Sequence, residues 1–232
     1  MRVMDYKNQK VLILAPHADD EIIGCGGVIQ KYLKNGSAVR VVIASFVKGA
    51  YQKYKTEKGQ YEIYDGMTRL KELEESHRII GIKNYHFLYT DEDQVQYHSK
   101  LDTLPRVELV SKLEKEIQEF KPTVIYIPSI TKHQDHTALH EAALTATRPY
   151  FWNGSVLVYE TDGELSFHPN LFVQINRDEI NKKQEALKAY KTQVGSKRHP
   201  ISSQSLFTKA RFRGQSVYCN FAEAFQVIRI HG

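Results

Sequence analysis

Val11-Leu-Ile-Leu-Ala-Pro16-His17-Ala-Asp19-Asp20-Glu21 is the stretch that decides the fold. The apolar run Val11–Ala15 has the pattern of a strand buried on both faces of a parallel sheet. Behind the acids, Ile22, Ile23, Cys25, Val28, Ile29, Tyr32 and Leu33 recur on one side of a helix. The charged cluster therefore sits on a strand-to-helix turn, the end of a strand where open α/β sheets bind ligands. Two readings account for three adjacent acids. At a helix N-terminus the macrodipole favours each by roughly 0.3–1 kcal/mol. Alternatively they face a cation, for which His17 and Asp20 offer one nitrogen and one oxygen ligand.

Outward from this stretch the pattern alternates. Asn35-Gly36 stops the first helix near Lys34, and Val39–Ser45 reads as a second buried strand, which completes a right-handed βαβ unit. Residues 47–66 are rich in Tyr and Lys with no clear period and read as a long loop that could cover the site. A helix follows from Thr68, with Leu70, Leu73, His77 and Ile80 on one face and Gly81 closing it; His77 reads as a core histidine. Tyr85–Tyr89 is a short strand ending in Thr90-Asp91-Glu92-Asp93, and Pro105–Phe120 is an amphipathic helix.

Thr123–Pro128 repeats the opening design. It is an apolar strand that delivers Ser129-Ile-Thr-Lys-His133-Gln-Asp135-His136 ahead of a helix through Ala138, Leu139, Ala142, Ala143 and Ala146. Parallel neighbours lie only ~4.8 Å apart. If the two strands are neighbours, His17, Asp20 and His136 can reach one point. The last third offers strands at Val156–Glu160, Leu171–Ile175 and Phe225–Ile230. A capping box at Asn176–Glu179 opens a helix to about Lys191.

The 232 residues suit one α/β domain, and no repeat or linker divides them. With 41% hydrophobic and 25% charged residues, disordered and fibrous classes are excluded. No apolar run approaches the ~20 residues a membrane helix needs. Met1–Gln9 lacks a signal-peptide core, and Cys25 and Cys219 make no disulfide framework, so a reduced, cytoplasmic protein is expected. A net charge of +5, without an arginine-rich run or a recognisable module, argues against a nucleic-acid partner.

Pro16-His17-Ala18-Asp19-Asp20-Glu21 together with His133-Gln134-Asp135-His136 resembles the PIG-L (LmbE-like) deacetylase family, whose pattern is Ala-His-Pro-Asp-Asp-Glu and, later, His-X-Asp-His. Arg69-X-X-Glu72-Leu73, Arg213-Gly214 and Glu223-Ala224-Phe225 resemble further signatures of that family. Pro16 stands before the histidine instead of after it, and Gln134 replaces a common proline; neither change removes a functional side chain. The resemblance implies an α/β, Rossmann-like three-layer fold over residues 1–232, with a mainly parallel sheet and helices on both faces. It implies a zinc-dependent hydrolase, with iron an alternative metal, that removes acetyl from N-acetylglucosamine-type sugars. Carried over residue by residue, it makes His17, Asp20 and His136 metal ligands and Asp19 the general base. It makes His133, held cationic by Asp135, the oxyanion stabiliser, and Arg69 and Asp91 substrate contacts. The partner is then a small N-acetylated sugar or glycoconjugate, and a homo-oligomer is left open.

Other readings stand beside these. His140 shares a helix face with His136 and could replace Asp20 as a ligand; Asp135 could be the helix N-cap. Gly24-Cys-Gly26-Gly27 lacks dinucleotide-fingerprint spacing. Lys197, Arg198, Arg211 and Arg213 could meet an anionic aglycone. A non-hydrolytic sugar- or nucleotide-binding α/β module is the alternative of a different class.

Overall fold

The computed structural model describes residues 4–47, 49–55, 59–89, 100–195 and 199–231. The chain begins with β1 (Lys10–Ala15), α1 (Asp20–Lys34), β2 (Ala38–Ile43), β3 (Ala50–Lys55), β4 (Gln60–Asp65), α2 (Gly66–Ile80) and β5 (Asn84–Phe87). After a single 3-10 turn at Leu101–Thr103 come α3 (Arg106–Phe120), β6 (Val124–Pro128), β7 (Ile130–Thr131) and α4 (Gln134–Ala146). The last part holds β8 (Ser155–Tyr159), β9 (Glu164–Ser166), β10 (Leu171–Gln174), α5 (Arg177–Ala189), α6 (Ser203–Gln215) and β11 (Ala222–Arg229).

The apolar run of β1 sits at the heart of a seven-stranded sheet ordered β10-β11-β8-β6-β1-β2-β5. It pairs parallel with β2 on one side and β6 on the other, which is why Val11–Ala15 carries no polar residue on either face. β5 and β8 extend the parallel order, and β11 is antiparallel to both its neighbours. The chain builds outward from β1 through β2 to β5, then crosses back to start β6. The crevice between the carboxyl ends of β1 and β6 is thus the topological switch point.

Alternate β1 residues feed two cores. Val11, Ile13 and Ala15 face α1, α2, α5 and α6; Leu12 and Leu14 face α3 and α4. The expected three-layer α/β fold is present. The predicted capping box at Asn176 and the αL cap at Gly81 are both formed.

Three stretches depart from the sequence reading. Residues 47–66 contain a hairpin, β3 pairing antiparallel with β4, where a loop was expected. Tyr61 and Ile63 on β4 are largely exposed, and a ribbon with little core to face shows no apolar alternation. Helix α6 was not anticipated. It buries only Leu206, Ala210 and Gly214, a stripe too thin to stand out in a polar segment, and Ser202 caps it through Ser205 N at 3.1 Å. β11 begins at Ala222, which brings Glu223 into the core.

Two of the late signatures are thereby seen in their places in the fold. Both carboxylate oxygens of Glu223 reach the middle of α1, accepting from Gly27 N at 2.6 Å and Val28 N at 2.7 Å, while Lys183 Nζ lies 2.6 Å from Oε1. A Cβ on Gly27 would lie 2.9 Å from that carboxylate, and one on Gly24 would lie 2.1 Å from the Tyr159 ring. The glycines of α1 are packing residues. Arg213 is engaged in a two-point pair with Glu160, at 3.0 and 2.7 Å, so its guanidinium is committed within the fold and not to an aglycone. Lys197 and Arg198 lie outside the described residues.

Candidate metal centre

Two corners meet at the switch point. The first leaves β1 through Pro16, whose carbonyl accepts from Ser45 N at 3.0 Å. The chain then turns sharply, with Asp19 at φ 134° and ψ −29°, a region that residues with a side chain occupy only under strain. Asp19 is the N-cap of α1 and its carbonyl accepts from Ile22 N and Ile23 N, yet its side chain caps nothing. The Asp20 side chain turns back instead: Oδ2 accepts from His17 N at 3.1 Å. The acids are therefore not spent on the helix end.

The second corner leaves β6 and is held locally. Ser129 N donates to Tyr159 O at 3.0 Å, and β7 pairs with β9. Thr131 Oγ1 accepts from His133 N at 3.0 Å. The N-cap of α4 is His133, not Asp135: its Nδ1 accepts from Asp135 N at 3.2 Å. The Asp135 carboxylate is wholly buried and bridges two other partners, Leu101 N at 2.9 Å and His17 Nε2 at 2.9 Å.

The imidazoles converge. Donor atoms of His17, His133 and His136 all lie within 4.8 Å of one another. Asp20 Oδ2 stands 3.5 Å from His17 Nδ1 and 3.4 Å from His136 Nε2. Nitrogen and carboxylate donors at this density suit a divalent transition ion. His136 is buried and faces Asp20 through Nε2, and its Nδ1 has no hydrogen-bond partner among the described residues. Asp135 behind His17 is the carboxylate that commonly orients a ligating histidine. These residues fit a metal. His140 is not part of that trio, and its Nδ1 lies 2.7 Å from Pro128 O.

Electrostatics separates the groups. Burial opposes charge on His17, but its bonds to Asp135 and Asp20 outweigh it and raise the pKa to about 9. Burial, with the neighbouring Asp20 charge, pushes the Asp19 carboxyl up to about 8. Asp20 is also buried, yet the His136 and His17 imidazoles hold it well below the usual carboxylate range. Burial and the His17 charge lower His133 to about 4. The expected hold of the Asp135 carboxylate on the His133 ring is not formed. That carboxylate faces His17, and the Nδ1 lone pair of His133 is occupied by a backbone amide.

Arg69 is 7% exposed and donates from Nη2 to Ala18 O at 3.0 Å, with Glu72 and Thr192 beside it. Asp91 lies outside the described residues. Sequence reasoning passed over Tyr190 and set His77 aside as core; both reach Glu21 Oε1, at 2.7 and 3.2 Å. The one available signal was the buried acid Glu21 in an otherwise explained motif.

The signature described as GlcNAc-PI de-N-acetylase, PIG-L, matches residues 12–147, from the first strand through both corners. The chain belongs to the PIG-L family. Diacetylchitobiose deacetylase of Thermococcus kodakarensis is 27% identical over 236 residues, covering 95% of this chain and 83% of that protein. The fold matches a conserved protein of Thermus thermophilus with a TM-score of 0.74 at 23% identity, covering 97% of this chain and 96% of that one. It also matches N,N′-diacetylchitobiose deacetylase of Pyrococcus horikoshii with a TM-score of 0.71 at 23% identity, covering 97% and 87%. Among the described residues of this family member, no helix is long and apolar enough to cross a membrane.

Proposed function

We propose that this chain is a divalent-metal-dependent hydrolase that removes the acetyl group from an N-acetylglucosamine-type amino sugar. The observation that carries the reading is the convergence of His17, Asp20 and His136 from two strand ends, with the Asp19 carboxyl, which caps no helix, next to Asp20. Family membership and the relative that acts on diacetylchitobiose support the substrate class.

His17, Asp20 and His136 would hold the ion, zinc by donor type and iron as the alternative. When bound, it supplies a water of lowered pKa and polarises the amide carbonyl. Asp19 is the proton carrier: as a carboxylate it takes the proton of the attacking water, and the carboxyl so formed, whose pKa burial and the Asp20 charge raise, returns that proton to the departing amine. The C–N bond breaks, water is consumed, and acetate and a free amine result. His133 is neutral, with Nδ1 engaged, so its proton sits on Nε2. That N–H is the donor offered to the oxygen that gains charge. Asp91 remains our proposed sugar contact.

The test is acetate release from N-acetylglucosamine and diacetylchitobiose, with metal content measured in parallel. Asp19→Asn should lose about 10²–10⁴-fold in kcat and keep its metal. An ion-free protein that gains nothing from added zinc or iron would overturn the reading. So would an Asp19→Asn variant as active as the parent. Sugar affinity without acetate in the metal-loaded parent would instead identify a non-hydrolytic binding module.

A further inference from the structure

The peptide unit joining Ala18 to Asp19 is gripped on both sides. Its carbonyl, Ala18 O, accepts from Arg69 Nη2 at 3.0 Å. Its amide, Asp19 N, donates to Glu21 Oε2 at 3.0 Å. One peptide plane has a fixed orientation once both of its polar ends are fixed. That orientation sets φ of Asp19, which stands at 134°. Such a value persists only where the surroundings over-determine it.

Both clamping groups are themselves locked. Glu21 is fully buried, and its second oxygen, Oε1, accepts from Tyr190 OH at 2.7 Å and His77 Nε2 at 3.2 Å. Arg69 is nearly fully buried; Nη1 lies 3.6 Å from Glu72 Oε2, whose carboxylate is in turn bound to Thr192 N and Oγ1 at 2.9 and 2.6 Å. The clamp therefore draws on α1, α2 and the segment just after α5.

We propose that Glu21 and Arg69 are paired positioning residues that hold the Ala18–Asp19 peptide plane in its strained orientation and so aim the Asp19 carboxyl. This rests on the hydrolase reading for its catalytic consequence, but the backbone claim stands apart from it. Arg69 is then a buried brace whose loss appears in kcat, and not a sugar contact whose loss appears in KM.

The test uses Glu21→Leu, Glu21→Gln and Arg69→Met in the metal-loaded protein. A misplacement of ~1 Å at the reacting group costs about 100-fold, so Glu21→Leu should lose about that much in kcat, with KM within about threefold and metal stoichiometry unchanged. Arg69→Met, which removes one side of the clamp, should lose about tenfold in kcat with the same KM. Glu21→Gln keeps an acceptor for the Asp19 amide and should recover most of the rate. The double variant Glu21→Leu/Arg69→Met should be little worse than Glu21→Leu alone, because both act on one plane.

Crystal structures of the variants give the readout that needs no activity: Asp19 should leave its positive φ. If Glu21→Leu does not fold, Arg69→Met and Glu21→Gln carry the test. A raised KM at constant kcat in Arg69→Met overturns the proposal in favour of a substrate contact. Metal and rate lost together overturn it in favour of a scaffold role. Asp19 unchanged at positive φ in Arg69→Met and Glu21→Leu overturns it even if the parent hydrolyses nothing.

Discussion

The two corners that meet at the switch point are alike in pattern and unlike in how they are held. The corner after β6 is capped from within, Thr131 and the His133 cap lying within a few residues of each other, and is tied besides to Leu101, Tyr159, Thr161 and β9. The corner after β1 is secured from far along the chain, by Arg69, His77, Tyr190 and Asp135. The remote partners of the first converge on a backbone strained at Asp19; the second adds a cap of its own at His133, whose backbone is extended. Strain falls at Asp19, which bears the carboxyl we propose as reactive, and none falls at the capping His133.

The largest test of this contrast asks whether both corners share one ion. His17→Ala and His136→Ala, one from each corner, should each lose the metal and reduce acetate release to background. Chelation of the parent should do the same, with recovery on adding zinc. Stoichiometric metal retained by either variant, measured by elemental analysis, would separate the corners.

Next in size is His133→Asn, which divides capping from chemistry. Asn is among the best N-caps, so the melting temperature should hold. Loss of a donor to the developing oxyanion should cost about 10²–10³-fold in kcat, with the metal retained. If the metal is lost instead, His133 is itself a ligand and the histidine trio, in place of Asp20, holds the ion.

The contrast also explains what the sequence could disclose. The second corner is capped locally, so His133, Asp135 and His136 could be picked out from one short segment, and the buried strands β1 and β6 from uninterrupted apolar runs. The convergence of the corners was conditional on β1 lying beside β6, and the sheet order supplies that pairing. What sequence could not show was direction. Asp135 stands two residues from His133, yet its carboxylate turns 118 positions back along the chain to His17. Arg69 carries a charge, which suggests a side chain facing solvent and substrate, but it is buried against a carbonyl of the first corner. The β3–β4 hairpin and α6 were missed because neither buries enough apolar surface to imprint a period.

A smaller effect is expected where the corners touch. Asp135→Asn can still accept from the Leu101 amide or from His17 Nε2, but it presents a donor to the other. Metal affinity should fall about 10–100-fold, as when an orienting carboxylate behind a ligating histidine is removed. Competition with a fluorescent chelator measures this; an unchanged constant would mean that the Asp135–His17 bond does not orient the ligand.

The smallest effect is a slope. In the metal-free protein His17 keeps its proton up to about 9, and His133 loses its proton already at about 4. A ligating imidazole must be unprotonated, and a cation disfavours a protonated carboxyl beside it, so between neutral pH and 9 binding an ion expels the His17 proton and a share of the Asp19 proton, both from the first corner. Affinity should therefore rise with pH, by about tenfold per unit or somewhat more, and level off above 9. The bonds that hold the His17 proton come from Asp135 and Asp20, so Asp135→Asn should move the levelling point to lower pH as well as weaken binding. Calorimetry in two buffers of different ionisation enthalpy counts the protons directly. A count near zero at pH 7.5 would mean that His17 is already neutral, and the electrostatic asymmetry between the corners would be gone while their mechanical asymmetry stayed.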